Sequence, residues 1–261
     1  MLCLCGYHYA LDPKQRPHIG DRAVSRAASR IGQNGRAFTV NQVVGAIACR
    51  RRFYLGFSTR KRRNKFRDTQ GAVISLDEVH RLPGLIATPM FDAASPSRWG
   101  EPDLFDYGAE RVLVVDTREV VDLLVLSGVH IGAKALVVSS GGYPAFATDL
   151  ARRLVSDRPD VPVYVLHAAQ PDDDTIQRAR VTVGATSATP IVDLGLDRNA
   201  ARRIPALRWA RRVIPLPVDC LPYGVLVGRL TRALLDGSRL DAPADDGGSD
   251  YWWWATDDDY G

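Results

Sequence analysis

The run Arg111-Val-Leu-Val-Val-Asp116 decides the fold class of this chain. A short, mostly β-branched apolar run that ends in an acid is typical of a strand buried on both faces of a parallel sheet. Two further apolar runs lie at residues 135–139 and 161–166, and segments with helical spacing lie at residues 119–129, 143–154 and 173–180. Strands that alternate with helices predict an α/β domain, with a parallel sheet that carries helices on both faces. We assign residues 109–240 to this domain.

Polar residues mark the point where each predicted strand ends. Asp116 ends the first strand, Ser139-Ser-Gly-Gly142 the second and His167-Ala-Ala-Gln170 the third. Because functional residues in parallel sheets collect beyond the C-terminal ends of the strands, we expect Asp116 and His167 at the same edge of the sheet. A carboxylate at this place could bind a divalent ion, and it could equally cap the helix that follows.

The region before the α/β domain is predicted to be helical. The spacing of apolar and small residues predicts a helix from Arg22 to Ile31 and a second from Val40 to about Arg52, with Thr39 as its N-terminal cap. A turn that contains Gly35 separates them. Two short helices joined in this way predict a winged-helix-like or helix-turn-helix domain over residues 21–88.

Three segments are predicted to lack regular structure. Residues 1–20 contain Pro13 and Pro17, and residues 89–108 are rich in Pro, Ser, Gly and Asp, as expected of a linker. Residues 241–261 form an acidic aromatic tail that includes Tyr251-Trp-Trp-Trp254, and we expect it to be disordered when free. Its aromatic residues could dock a partner, or the tail could have no function.

Positive charge is concentrated in one segment, although the net charge of the chain is only +4. Nine of the 18 residues from Arg50 to Arg67 are Arg or Lys, whereas the last 21 residues are acidic. Lys and Arg neutralise phosphates and supply affinity that does not depend on base sequence. The residues predicted to contact DNA on this basis are Arg50, Arg60, Lys61, Arg62, Arg63 and Lys65. A solvated basic loop is the alternative.

Composition and motifs disfavour several other classes of protein. No apolar run approaches the roughly 18 residues that a membrane-spanning helix needs, and the N-terminus lacks the pattern of a signal peptide. Cys3 and Cys5 form one close pair, while Cys49 and Cys220 are isolated, so no zinc-ligand spacing is complete. We therefore expect an intracellular protein with reduced thiols.

The stretch Ser139-Ser-Gly-Gly-Tyr-Pro-Ala-Phe-Ala-Thr148 is the most specific feature of the chain. It resembles the Thr-Gly-Lys-Gly-Tyr-Pro-Asp-x-Ala-Thr run of the DNA-cleaving A subunit of topoisomerase VI and of the related meiotic double-strand-break transesterases. Segments that begin at Ala109, Pro162 and Thr189 resemble further parts of that family in the same order. The resemblance covers about residues 109–235 and implies a toprim-like α/β domain. An unrelated Rossmann-like domain is the alternative.

The metal-binding acids of that family are only partly present here. The family binds Mg²⁺ through a Glu after the first strand and an Asp-x-Asp after the third, and these positions hold Asp116 and His167-Ala-Ala169. Imidazole is a poor ligand for Mg²⁺, which prefers oxygen. Asp172 and Asp174 are further candidates, or they serve as helix N-terminal charges. The resemblance thus implies a site of Asp116, His167, Asp172 and Asp174 whose affinity for Mg²⁺ is weakened or lost.

The segment Arg51-Arg-Phe-Tyr54 is similar to the nucleophile motif of the same family, an Arg-Asp-x-Tyr/Phe-Tyr run. The resemblance makes Tyr54 the group that attacks a DNA phosphate, with Arg51 and Arg52 beside it. A free tyrosine has a pKa of about 10, so such an attack needs nearby cations that stabilise the phenolate. The alternative is a tyrosine packed on a wing.

The resemblance implies a DNA-binding protein of the nucleus or nucleoid that forms a covalent tyrosyl–DNA linkage during double-strand breakage. It also implies a homodimer and a separate ATPase subunit of the B type, because this chain has no Gly-x-x-x-x-Gly-Lys-Ser/Thr loop. A catalytically degenerate DNA-binding or scaffold protein of the same fold is the first alternative, favoured by the lost Asp-x-Asp. A Rossmann-like enzyme that binds a nucleotide over Gly141 and Gly142 is the second, disfavoured because the Gly-x-Gly-x-x-Gly spacing is absent.

Overall fold

The computed structural model describes two packed units of the chain, a helical unit and an α/β unit. The described residues are 8–11, 19–51, 59–91, 108–169, 174–197, 199–200, 204–210 and 215–240. Most of residues 1–20 and the whole tail, residues 241–261, lie outside them. In the described part of the chain, no helix combines the length and the apolar character needed to cross a membrane.

The helical unit consists of α1 (Asp21–Ile31), α2 (Val40–Arg51) and α3 (Thr59–His80). The first two helices confirm the sequence-based prediction. Thr39 caps α2 as expected, because its Oγ1 accepts the N–H of Gln42 at 3.3 Å. The Oε1 of Gln42 in turn accepts the N–H of Thr39 at 3.1 Å, so two donors at the start of the helix are satisfied reciprocally.

The 22-residue helix α3 was not predicted from the sequence. Its first seven residues, 59–65, contain no apolar side chain, so the spacing that reveals an amphipathic helix begins only at Phe66. From there Phe66, Val73 and Leu76 are buried at helical spacing. Arg and Lys are good helix formers, which allows the basic segment to continue this helix toward its N-terminus.

The structure shows no winged helix in the described residues. The three helices pack on one another, and a bridge between Phe38 and Leu85 joins the segment before α2 to the segment after α3. The N–H of Phe38 donates to the carbonyl of Gly84, and the N–H of Ile86 donates to the carbonyl of Phe38, both at 2.9 Å. The helical unit is therefore a three-helix arrangement closed by one bridge.

The α/β unit is built on a parallel sheet of four strands in the order β2-β1-β3-β4. The strands are β1 (Arg111–Val115), β2 (Ala135–Ser139), β3 (Val163–Leu166) and β4 (Ile191–Asp193). Val112 pairs with Leu136 on one side and with Val163 on the other. The prediction that the first three strands are parallel neighbours is thus confirmed, and the sheet gains a fourth strand.

Helices cover both faces of this sheet. They are α4 (Arg118–Leu126), α5 (Val129–Gly132), α6 (Ala145–Asp157), α7 (Thr175–Val183) and α8 (Tyr223–Asp236). Every residue of β2 and β3 is buried, and since successive side chains of a strand point to opposite faces, neither face is open to solvent there. The predicted α/β class is confirmed, whereas a toprim-like arrangement is not.

The two units meet through residues 205–210 and 215–221. The Nδ2 of Asn41, in the first turn of α2, donates to both carboxylate oxygens of Asp219, at 3.0 and 3.1 Å. Phe66 of α3 stacks on Trp209, with ring centroids 6.1 Å apart and an interplanar angle of 11°. Asp219 is buried, and burial raises the pKa of its carboxyl group although hydrogen bonds from Thr39 and Asn41 oppose the rise. The junction therefore combines a polar clamp with an aromatic contact.

The first residues of the predicted linker are fixed on the α/β unit. Phe91 is buried, and its N–H donates to the hydroxyl oxygen of Tyr143 at 2.7 Å. The N–H of Met90 donates to Asp122 Oδ2 at 3.0 Å, and the Tyr143 hydroxyl donates to Asp122 Oδ1 at 2.8 Å. The loop after β2 thus holds the chain where it leaves the helical unit.

Candidate functional site

The strand order places a crevice between the C-terminal ends of β1 and β3. The chain leaves β1 toward β2 on one side and later crosses to β3 on the other, so the two connections diverge at this point of the sheet. Ligands of open α/β sheets bind in such a crevice. Asp116 follows β1 and His167 follows β3, which confirms that the two residues share one edge.

Asp116 ties the two strand ends together. Its Oδ2 accepts the N–H of Ala168 at 2.7 Å, so the carboxylate after β1 holds the backbone after β3. The N-terminal cap of α4 is Thr117, not Asp116. Asp116 is therefore not the N-terminal cap of α4, and its carboxylate makes a contact across the sheet edge.

His167 is held at both ring nitrogens. Its Nε2 lies 2.9 Å from Asp193 Oδ1, and its Nδ1 lies 2.8 Å from the carbonyl oxygen of Ala168. A carbonyl oxygen and an ionised carboxylate can only accept hydrogen bonds, so both ring nitrogens must donate. The doubly protonated imidazolium is therefore the form that satisfies both contacts, although the residue is only 3% exposed.

The electrostatics of this pair agree with the geometry. Burial alone would lower the pKa of His167, but the hydrogen bonds to Asp193 and Ala168 and the charges of Asp193 and Asp116 outweigh it, and the pKa is raised. The hydrogen bond to His167 is the main cause that lowers the pKa of Asp193, and the Gly195 N–H and the Arg239 charge add to it. Each partner thus stabilises the charged form of the other.

The turn after β4 is shaped around this imidazolium. A Cβ added to Gly195 would lie 2.1 Å from His167 Cε1, so no other residue fits there without displacing the ring. The N–H of Gly195 donates to Asp193 Oδ1 at 2.8 Å. The Nη2 of Arg239 donates to the Gly195 carbonyl at 2.8 Å, and its Nη1 lies 3.4 Å from Asp193 Oδ2. The carboxylate is therefore oriented by its own turn and by the segment after α8.

The loop after β2 closes on itself beside this edge. The Oγ of Ser139 accepts the N–H of Tyr143 at 3.0 Å, and the N–H of Ser139 donates to the Tyr143 carbonyl at 2.7 Å. The hydroxyl of Ser140 donates to the Asp116 carbonyl at 3.4 Å, and Thr182 on α7 donates to the Ser140 carbonyl at 2.7 Å. The most specific sequence motif of the chain therefore forms a closed turn that joins the β1 and β2 ends to α7.

The structure does not assemble the predicted metal ligands among the residues it describes. No group of three or more His, Cys, Asp or Glu side chains there could hold a metal ion. Both nitrogens of His167 already donate to oxygens, and an imidazolium repels a cation. Asp174 precedes α7 and is exposed, and Asp172 lies outside the described residues. The predicted Mg²⁺ site remains a prediction, and His167 in this state cannot serve it.

The predicted DNA-binding residues that are described lie on α3. Arg60, Lys61 and Arg63 are exposed and Lys65 is half-buried. The side chains of Arg50, Arg51 and Arg62 are not described, and Arg52 and Tyr54 lie outside the described residues. The proposed nucleophile therefore stays a prediction.

Sequence reasoning missed Asp193, the partner that decides the state of His167. Asp193 lies in the segment that begins at Thr189, but no role was predicted for it. A signal was present, because Asp193 ends a short apolar run just as Asp116 does, and strand-end acids of a parallel sheet share one edge.

Replacing Asp193 by Asn tests the ion pair, because the change removes the charge and keeps the shape. Burial then dominates, so the pKa of His167 should fall from above the ordinary 6.5 to below it in an NMR titration. The His167 contribution to stability is complete below pH 6.5 and is lost as the pH rises through the raised pKa. The Asp193 contribution is complete above pH 3.8 and is lost as the pH falls.

Asp193→Asn should therefore lose most stability between pH 3.8 and pH 6.5. Because the Asp193 side chain is 44% exposed, solvent screening limits the expected loss to about 1–2 kcal/mol of unfolding free energy near pH 5.5. Asp149→Asn, which removes an exposed carboxylate 3.3 Å from Arg152, is the control and should change neither quantity. An unchanged His167 titration in Asp193→Asn would refute the pairing.

Comparisons of this chain with models of protein families, with curated proteins and with solved structures found no match.

Proposed function

We propose that this protein binds duplex DNA through the first half of α3, residues 59–67, which we call the basic half-helix. The observation that carries the proposal is a set of exposed cations on it: Arg60, Lys61, Arg63 and Arg67. None of the four forms an ion pair with a carboxylate within the described residues. Exposed cations that have no carboxylate partner among the described residues are available to phosphates.

The charge distribution of the helical unit supports this role. Residues 19–51 and 59–91 contain thirteen Lys or Arg and four Asp or Glu, which leaves a net charge of +9. The first carboxylate of α3 is Asp68, so the basic half-helix contains none. A field of this sign attracts a polyanion over distances beyond direct contact, and the N-terminal end of the helix dipole adds to it.

The contacts proposed here are to phosphates rather than to bases. The aromatic residue within the basic half-helix, Phe66, is only 7% exposed. It stacks on Trp209 at the junction of the two units, so it is not available to stack on a base. Arg and Lys contacts to phosphates carry no base information, and the affinity should therefore be similar for all DNA sequences.

The edge of the sheet supports a binding protein more than a DNA-cleaving enzyme. In the family that the sequence resembles, this edge supplies carboxylates for Mg²⁺. Here His167 is an imidazolium that Asp193 neutralises, and Asp116 accepts a backbone N–H. We propose that these groups fix the turns after β1, β3 and β4, which corresponds to a catalytically degenerate DNA-binding protein.

Replacing Arg60, Lys61, Arg62 and Arg63 by Ala tests the basic half-helix. Each lost phosphate contact removes about 0.9 from the slope of log affinity against log salt, so the loss of four contacts should reduce the magnitude of the slope by about 3.6. The affinity for a short duplex DNA at low salt should fall by at least about tenfold, equally for unrelated sequences. Fluorescence anisotropy over a salt series measures both quantities.

A matched variant separates this surface from net charge alone. Lys134, Arg153, Arg158 and Arg178 are exposed cations of the α/β unit, and their replacement by Ala changes the net charge by the same amount. This control should keep most of the affinity and the salt slope. An equal loss in the two variants would show that the basic half-helix has no special role.

A trapping experiment tests the absence of strand cleavage. The protein is incubated with supercoiled duplex DNA and Mg²⁺ and then denatured with detergent, which would preserve a tyrosyl–DNA bond. We expect no covalent adduct, and Tyr54→Phe should bind DNA like the wild type because it removes one hydroxyl and no charge. An adduct that forms in the wild type and is lost in Tyr54→Phe would contradict the proposal that the protein is catalytically degenerate. It would show instead that the protein is a transesterase with Tyr54 as its nucleophile.

A further inference from the structure

The C-terminal tail, residues 241–261, has a composition complementary to the basic half-helix. It contains seven Asp and no Lys or Arg. It also holds five aromatic residues, Tyr251, Trp252, Trp253, Trp254 and Tyr260. A chain segment that combines several negative charges with flat rings presents the features by which a nucleic acid is bound to a basic protein surface.

The basic half-helix offers this segment an open surface. Arg60, Lys61, Arg63 and Arg67 are exposed and have no carboxylate partner in the described part of the chain. Carboxylates pair with guanidinium groups through charge-assisted hydrogen bonds, and indole rings stack on guanidinium planes. The cations of this surface can thus interact with both the carboxylates and the aromatic rings of the tail.

The tail starts from a fixed point of the fold. Leu240 is buried, its N–H donates to the Leu194 carbonyl at 3.3 Å, and its own carbonyl accepts from Arg229 at 3.0 Å. From there, 21 extended residues can span at most about 70 Å. A folded chain of this length has a radius of gyration of about 18 Å, so the tail is long enough to reach the helical unit.

We infer that the tail docks on the basic half-helix of its own chain and competes there with DNA. The competition rests on the proposed function, whereas the docking does not. A tethered segment has an effective concentration in the millimolar range, so a tail affinity of about 0.1 mM would occupy about nine molecules in ten. The apparent dissociation constant for DNA is then raised about tenfold over that of the open surface.

Carbodiimide cross-linking tests the docking in the full-length protein, since it joins a carboxylate to an amine only where the two are in contact. The chain has four lysines, Lys14, Lys61, Lys65 and Lys134, of which two lie in the basic half-helix. Mass spectrometry should find tail Asp residues joined to Lys61 and Lys65. Lys134, exposed on the α/β unit, is the internal control and should not be joined to the tail.

Isotope labelling decides which chain supplies the tail. In a mixture of labelled and unlabelled protein, cross-links within one chain contain peptides of a single label. Cross-links that join the two labels would show that the tail belongs to a second copy and would overturn docking in the same chain. Absence of tail cross-links to Lys61 and Lys65 while the protein binds DNA would overturn the inference and leave the proposed function intact.

A charge variant of the tail tests the competition. Asp257, Asp258 and Asp259→Asn should bind a short duplex DNA about fivefold more tightly than the wild type at low salt, and the gain should vanish as salt is added. Asp149, Asp157 and Asp160→Asn is the matched control on the α/β unit, with the same change in net charge and an expected gain of less than twofold. Equal gains would overturn the competition. Cross-links to Lys61 and Lys65 without any DNA binding would refute the proposed function and the competition, but not the docking.

Discussion

A hydrogen bond of 2.7 Å joins the Asp116 carboxylate to the N–H of Ala168 and thereby links the ends of β1 and β3. These strands are neighbours only because the sheet has the order β2-β1-β3-β4. The pairing of β3 with β4 in the same sheet brings His167 to Asp193 at the end of β4, where Gly195 leaves room for the ring. In a metal-dependent enzyme, the polar groups at this edge would face the substrate. Here they contact other groups of the protein, so the edge stabilises the fold.

The two units differ in how their charged side chains are paired. At the sheet edge, Asp193 neutralises the imidazolium of His167 inside the protein. On the basic half-helix, the exposed cations have no carboxylate partner among the described residues. The junction, in which Asn41 holds the buried Asp219 and Trp209 stacks on Phe66, keeps the basic surface attached to the α/β unit. We therefore propose that a polyanion is attracted to the helical unit and not to the edge of the sheet.

The sequence allowed prediction of those features that follow from local patterns. The apolar runs predicted three strands, including Ala135–Ser139 with its observed bounds, and the cap at Thr39 was visible as a short local motif. The start of helix α3 could not be predicted because residues 59–65 contain no apolar side chain to give a period. The position of Asp193 at the end of an apolar run could have placed it at the same sheet edge, but its pairing with His167 also needs β4 next to β3, which is a property of the sheet order.

The central claim is that DNA contacts the basic half-helix and leaves the sheet edge untouched. Hydrogen–deuterium exchange of the full-length protein, measured with and without a short duplex DNA, tests it most directly because the two regions give separate peptides. The account predicts that DNA slows exchange in peptides that cover residues 59–67 and leaves peptides around Asp116, His167 and Asp193 unchanged. Protection of the sheet-edge peptides without protection of residues 59–67 would contradict it and would place the DNA in the crevice between β1 and β3.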